Sequence, residues 1–325
     1  MPEITPAPLN QDIPRRTVAV FGGNGFIGSH LVDRLVEGGH RVTVFDRFSG
    51  IKDNLAAHRE GSGVSFVHGD FFDTADVARA LDGVEVAYNL VSAFNPASAW
   101  ERPGEVLQRD AMGAVRFFEA CVDHGVAKVV YTSSGGTIYG PRPGRIDEQA
   151  LPRPFNPHAI CKLAVEHFLE YFRVRHGMAG DVYRISNVFG PRQPLVSNQG
   201  VIAVWMRRIM NGEPVDVFGD ENTLRDYIYV EDATALMTHS LADPEASDTF
   251  NLGTGVGVSI LDLLELFREV VGTDFEARRH PRRPSDNTSA VMDNAKILAL
   301  YPDFQFRDLG GMLARTWERV REQHG

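Results

Sequence analysis

Val18-Ala19-Val20-Phe21-Gly22-Gly23-Asn24-Gly25-Phe26-Ile27-Gly28-Ser29-His30 passes from an apolar run through glycines into an apolar-periodic segment that continues at Leu31 and Leu35. The pattern is a buried strand, a tight turn and the start of a helix. Gly22, Gly25 and Gly28 stand at G-x-x-G-x-x-G spacing. The first can take a backbone angle closed to other residues. The second lets the chain approach a pyrophosphate without a Cβ in the way, and the third lets helix and strand pack closely. Phosphates would sit on the helix N-terminus, where free N–H groups and the dipole favour anions.

Arg41 to Asp46 reads as the second strand and ends in an acid 18 residues after Gly28. A carboxylate there accepts from an adenosine ribose and repels a 2′-phosphate. The expected cofactor is therefore NAD rather than NADP, with Arg47 beside Asp46 as the one opposing signal.

The chain has 325 residues, 43% hydrophobic and 23% charged, enough for one large α/β unit or two domains sharing a core. No apolar run approaches the roughly 18–20 residues of a membrane span. Residues 1–15 hold Pro2, Pro6, Pro8 and Pro14 and read as a disordered tail rather than a signal peptide. Cys121 and Cys161 are the only cysteines, which suits a reducing cytoplasm. Formal net charge is −10, so nucleic acid is not an expected partner. The histidines form no metal-ligand pattern, and no metal is expected.

From residue 16 to 189, strands alternate with helical patterns. Strands are expected at 64–70, 84–91, 128–134 and 181–188, and helices at 76–81, 105–124 and 155–176. This alternation means a doubly wound parallel sheet of the Rossmann type, here a dinucleotide-binding domain over 16–189. Beyond Gly190 the chain breaks into shorter pieces, with helical patterns at 201–210, 230–241, 259–271 and 309–322. Residues 190–325 read as a smaller α+β substrate-binding region, with a segment near 227–241 returning to the first domain. The cleft between the halves is the expected active site.

Further motifs follow in order: Gly69-Asp70; Tyr131-Thr132-Ser133-Ser134-Gly135-Gly136-Thr137-Ile138-Tyr139-Gly140; a helix with Lys162 and Glu166; Arg184 to Arg192; Val217-Phe218-Gly219-Asp220; Arg225 to Val230; Asn251 to Gly255; and Arg282 to Asp286. Together they resemble the extended short-chain dehydrogenase/reductase family, specifically the NAD-dependent epimerase/dehydratases of nucleotide sugars. The resemblance runs from about Thr17 to Phe304.

It implies that a tyrosine four residues before a lysine takes a proton from a sugar hydroxyl while NAD accepts the hydride. The lysine contacts the nicotinamide ribose, and a Ser or Thr ending the fifth strand orients the hydroxyl. The resulting 4-keto sugar is reduced on its other face or processed further. This chain departs at the centre. His158 stands four residues before Lys162, where the family has its tyrosine. The spacing keeps both on one helix face. Imidazole titrates near 6.5 against about 10 for phenol, so His158 can act as a base near neutral pH. A lost or weak redox function, an artificial substitution, or another group serving as base are the alternatives. The usual hydroxyl position falls at Gly135, which leaves Ser134 or Thr137 to supply it, Ser134 favoured.

Other expectations carry over by resemblance. Phe26 and Ile27 line the cofactor turn; Asp70, Phe71 and Ser92 contact the adenine and ribose side; Asp110 stands where many relatives have asparagine. Asn187, Arg192 and Arg225 bind the substrate diphosphate, and guanidinium suits that bidentate contact. Arg283 and Asp286 reach it or its ribose from the other side, although a solvated loop explains the 282–283 pair equally well. A salt bridge from Arg225 to Asp226 or Glu231 is the alternative there. Two long helices, 105–124 and 155–176, imply a homodimer. The expected activity is a UDP- or dTDP-hexose epimerase. Alternatives are a sibling dehydratase, decarboxylase or reductase, a dehydrogenase of another small substrate, and a redox-inactive NAD-binding protein.

Overall fold

The computed structural model describes residues 13–49, 54–58, 63–94, 96–196, 200–220, 222–281 and 289–324. The first elements are β1 (Thr17–Phe21), α1 (Phe26–Glu37), β2 (Arg41–Asp46), β3 (Val64–His68), α2 (Thr74–Leu81) and β4 (Val86–Asn89). Short α3 (Pro96–Glu101) and α4 (Pro103–Val106) lead through a π-helical turn, Leu107–Ala111, into α5 (Met112–Asp123). β5 (Lys128–Ser134), α6 (Gly135–Ile138), β6 (Arg145–Ile146), α7 (Pro157–His176), β7 (Ala179–Ile185) and β8 (Asn187–Phe189) follow. The remainder is α8 (Val201–Met210), β9 (Val215–Phe218), β10 (Leu224–Tyr229), α9 (Val230–Met237), β11 (Thr249–Leu252), β12 (Gly257–Ser259), α10 (Ile260–Val271), β13 (Ala277–His280), β14 (Ser289–Met292), α11 (Ala295–Leu300) and α12 (Leu309–His324).

A seven-stranded sheet runs β11-β7-β5-β4-β1-β2-β3. β1 pairs in parallel with β2 and β4, and the chain reverses direction across the sheet at that point. Strands covered on both faces must be apolar throughout. Val18, Ala19, Val20 and Phe21 are indeed fully buried. Phe21 meets Phe45, Phe71 and Phe117 at ring-centroid distances of 4.8, 6.0 and 4.7 Å. A second sheet runs β12-β10-β14-β6, and β13 pairs with β9.

By compactness the chain forms two units: 1–133, 157–183 and 234–250; and 134–156, 184–233 and 251–325. Residues 134–156, read from sequence with the dinucleotide domain, group with the second unit because β6 pairs with β14. The expected strand 181–188 is two strands. β7 stays in the large sheet, whereas β8 pairs with β10, Asn187 opposite Tyr227. The expected helix 105–124 is interrupted by the π turn. Among the described residues no helix is long and apolar enough to cross a membrane. Residues 1–12 of the expected tail lie outside the described residues.

Candidate functional site

The glycine turn is set by backbone. Gly22 has φ +79° and donates its N–H to Phe45 O at 2.8 Å; Gly25 N donates to Gly22 O at 3.1 Å. α1 starts without a side-chain cap, so the turn leaves its N-terminal N–H groups for another acceptor. A Cβ on Gly25 would lie 3.1 Å from Gly22 O, and one on Gly28 only 2.2 Å from it. Phe26 and Ile27 are half-buried beside the turn. Asp46 accepts from Asn24 N at 3.1 Å and Phe48 N at 3.0 Å, which aims its carboxylate at the turn. Asn24 Oδ1 is buried without a partner. A cradle with no room for a Cβ, an uncapped helix and an acid at its rim fit an adenine dinucleotide. Asp70 is exposed and accepts from Phe72 N at 3.0 Å. The Phe71 side chain belongs to the aromatic core, so only its backbone is left to meet a ligand.

α7 buries His158, Lys162 and Glu166 on one face. Lys162 Nζ donates to Thr132 O at 2.9 Å and lies 4.9 Å over the Tyr131 ring. Burial brings its ammonium down to about 8, against the opposing pull of Asp110 and Glu166. Burial, helped by the Lys162 charge, holds His158 down to about 3. A hydrogen bond to the Phe94 backbone pulls the other way, as a carbonyl accepting from a ring N–H does. His158 Nδ1 is buried and has no partner, which leaves Nε2 as the donor. Next to this ring, Asp110 accepts from Ala93 N at 2.7 Å, and its Oδ2 lies 3.3 Å from Ser92 Oγ. Cys161 packs in the apolar core.

A histidine held neutral in the folded chain has a consequence for acid stability. Its ordinary value is 6.5, so below that pH the unfolded chain binds a proton that the folded chain refuses until about 3. Stability from this group is full above pH 6.5 and is lost as pH falls toward 3. At about 1.4 kcal/mol per unit the whole effect is about 5 kcal/mol. His158→Asn should flatten the fall in unfolding free energy between pH 6 and 4, measured by urea titration. An unchanged slope would show that the ring is not held neutral.

In the second unit, Ser134 Oγ accepts from Thr137 Oγ1 at 2.9 Å, so the two candidate hydroxyls come together. Gly135 lacks a side chain for a packing reason. A Cβ there would lie 2.6 Å from Met292 Sδ and 2.8 Å from Arg184 O. Asn187 Nδ2 donates to Asp226 O at 3.0 Å, and Arg225 Nη1 to Leu224 O at 2.9 Å. The two acids offered as partners for Arg225 make the following contacts. Asp226 accepts from Thr254 N, Thr254 Oγ1, Gly255 N and Met292 N. Glu231 pairs with Arg307 and Arg315. Arg192 is half-buried at φ +66°. Arg282, Arg283 and Asp286 lie outside the described residues. Sequence reading passed over the chain Arg184 Nη1 to Tyr139 OH (2.8 Å), Tyr139 OH to Asn251 Oδ1 (2.7 Å) and Asn251 Nδ2 to Ile146 O (2.8 Å). Its signal lay in the paired motifs at Tyr139-Gly140 and Asn251-Leu252-Gly253.

The sequence profile of the NAD dependent epimerase/dehydratase family matches residues 18–253. A UDP-glucose 4-epimerase of Mycolicibacterium smegmatis is 33% identical over 281 residues, 85% of this chain and 90% of that protein. A crystal structure of the Thermotoga maritima UDP-glucose 4-epimerase with UDP-glucose superposes with TM-score 0.87 at 31% identity, covering 95% of this chain and 100% of that one. A Thermus thermophilus UDP-glucose 4-epimerase in complex with NAD gives TM-score 0.85 at 31% identity, over 94% and 99%. With its glycine turn, its buried Lys162 and this end-to-end likeness, the chain belongs to the NAD-dependent epimerase/dehydratase family.

Proposed function

We propose that the protein is an NAD-dependent UDP-hexose 4-epimerase. What carries this is its full-length likeness to two UDP-glucose 4-epimerases at 31% identity, one with UDP-glucose and one with NAD. Bound NAD would supply the redox chemistry, as acceptor and then donor of the hydride at C4 of the sugar. Gly22, Gly25 and Gly28 admit the pyrophosphate to the N-terminus of α1, lined by Phe26 and Ile27. Asp46 takes the adenosine ribose; Asp70 and the backbone of Phe71 serve the adenine; Ser92 and Lys162 serve the nicotinamide ribose. On the substrate side Ser134, with Thr137 behind it, orients the 4-hydroxyl. Asn187, Arg192 and Arg225 hold the diphosphate, with Arg283 and Asp286 as further ligands.

His158 accepts the 4-hydroxyl proton at Nδ1, the ring nitrogen without a partner. The O4–H bond breaks and N–H forms as the hydride leaves C4; the reverse transfer restores the alcohol. A ring held near 3 is a weak acceptor, so proton removal is slow compared with a base poised near the working pH. His158→Ala should lower kcat about 100-fold or more while NAD stays bound. Unchanged turnover, or a His158→Tyr variant that acquires an activity the native chain lacks, would assign the base elsewhere.

The assembly we propose is a homodimer. Ile160, Phe168, Tyr171 and Val174 form an exposed apolar stripe on α7, and Leu107 and Met112 are exposed before and at the start of α5. Buried free thiols at Cys121 and Cys161 suit a cytoplasmic setting.

A further inference from the structure

The π turn at Leu107–Ala111 brings Asp110 against the loop that follows β4. π turns are rare and recur at functional sites. Asp110 Oδ1 takes the Ala93 N–H at 2.7 Å, and Oδ2 lies 3.3 Å from Ser92 Oγ. The same hydroxyl lies 3.0 Å from Phe94 O. The Phe94 backbone in turn accepts from the His158 ring, whose Nδ1 is buried and unpartnered. A carbonyl oxygen has two lone pairs, enough for both the Ser92 hydroxyl and a ring N–H. The hydroxyl has one hydrogen to give, to Phe94 O or to Oδ2, so the carboxylate holds the loop through the Ala93 N–H, one peptide before the residue whose carbonyl meets the imidazole.

We propose that Asp110 is a positioning residue that, through the Ala93–Phe94 backbone, locks His158 as the Nε2–H tautomer with its Nδ1 lone pair free. A neutral imidazole offers one donor and one acceptor, and which nitrogen plays which part follows from the partner that is fixed first. Here that partner is the Phe94 carbonyl, and Asp110 fixes the Ala93 N–H in the loop that carries it. The consequence for turnover rests on His158 being the proton acceptor; the consequence for the ring does not.

The test is 15N NMR of the NAD-loaded protein labelled at histidine, with His158 assigned by its loss in His158→Asn. The wild type should show one protonated and one bare nitrogen, Nε2 and Nδ1 respectively. Asp110→Ala should give averaged ring-nitrogen shifts and a fall in kcat on the order of 10- to 100-fold, with NAD affinity nearly unchanged. Asp110→Asn should restore both, because its Oδ1 accepts from Ala93 and its Nδ2 donates to a Ser92 hydroxyl still turned to Phe94. Ser92→Ala, which removes the hydroxyl bond to Phe94 O together with the Ser92 contact to the cofactor ribose, should show the same change in ring-nitrogen shifts in smaller measure at saturating NAD and serves if Asp110→Ala does not fold. Wild-type nitrogen shifts in both Asp110→Ala and Ser92→Ala, or in Ser92→Ala alone if Asp110→Ala does not fold, overturn the proposal. Averaged shifts with undiminished kcat would leave the positioning in place and remove His158 as the base.

Discussion

Gly28→Ala should abolish NAD binding. The new Cβ would lie 2.2 Å from Gly22 O and 2.9 Å from Gly23 Cα. Both atoms are backbone of the glycine turn, so no side chain can swing aside. Gly22 is itself tied to β2 through Phe45 O at 2.8 Å, so α1 must move off β1. Overpacking of this kind costs about 1–3 kcal/mol of stability. The displaced helix N-terminus should cost affinity about 100-fold or more, roughly 2.7 kcal/mol. Gly104→Ala is the control, because a Cβ there meets nothing within 4 Å. Calorimetric titration with NAD should show loss of binding in the first variant and wild-type binding in the second. Equal affinity in both would mean that the turn does not carry the cofactor.

Asp226→Asn should be as damaging as Asp226→Ala. The carboxylate is fully buried and accepts from Thr254 N at 2.8 Å, Thr254 Oγ1 at 2.9 Å, Gly255 N at 3.0 Å and Met292 N at 3.2 Å. An amide can accept on one side only, and its NH2 would then face backbone donors. Each buried donor left without an acceptor costs about 1–3 kcal/mol, so either variant should lose about 3 kcal/mol or more. Asp226 also stands between Arg225 and Tyr227 on β10, and its own carbonyl orients Asn187. UDP affinity should therefore fall with stability. Urea unfolding of the two variants decides the matter; an Asn variant within 1 kcal/mol of wild type would show that the site tolerates an amide.

The dinucleotide half is legible because its signals are local. Val18 to His30 holds strand, turn and helix start in one stretch, and Asp46 closes the next strand. Much of the second unit depends on contacts between distant residues. The glycine at 135 makes sense only beside Met292 and Arg184. Strand β8 separates from β7 because β10, far along the chain, offers it a partner. Asp226 looks like an ion-pair partner of its neighbour until Thr254, Gly255 and Met292 are seen to surround it. The π turn that aims Asp110 shows in the sequence only as a five-residue step between the buried Val106 and Ala111, which a 3.6-residue pattern does not single out.

The most direct test is to incubate the purified, NAD-loaded chain with UDP-galactose in D2O and follow the sugar by proton NMR. Hydride carried on a bound dinucleotide does not exchange with solvent. We expect UDP-glucose to form with protium retained at C4, and UDP-glucose as substrate to give UDP-galactose in the same way. Absence of any interconversion in a protein that holds NAD, or deuterium entering at C4, would contradict the account.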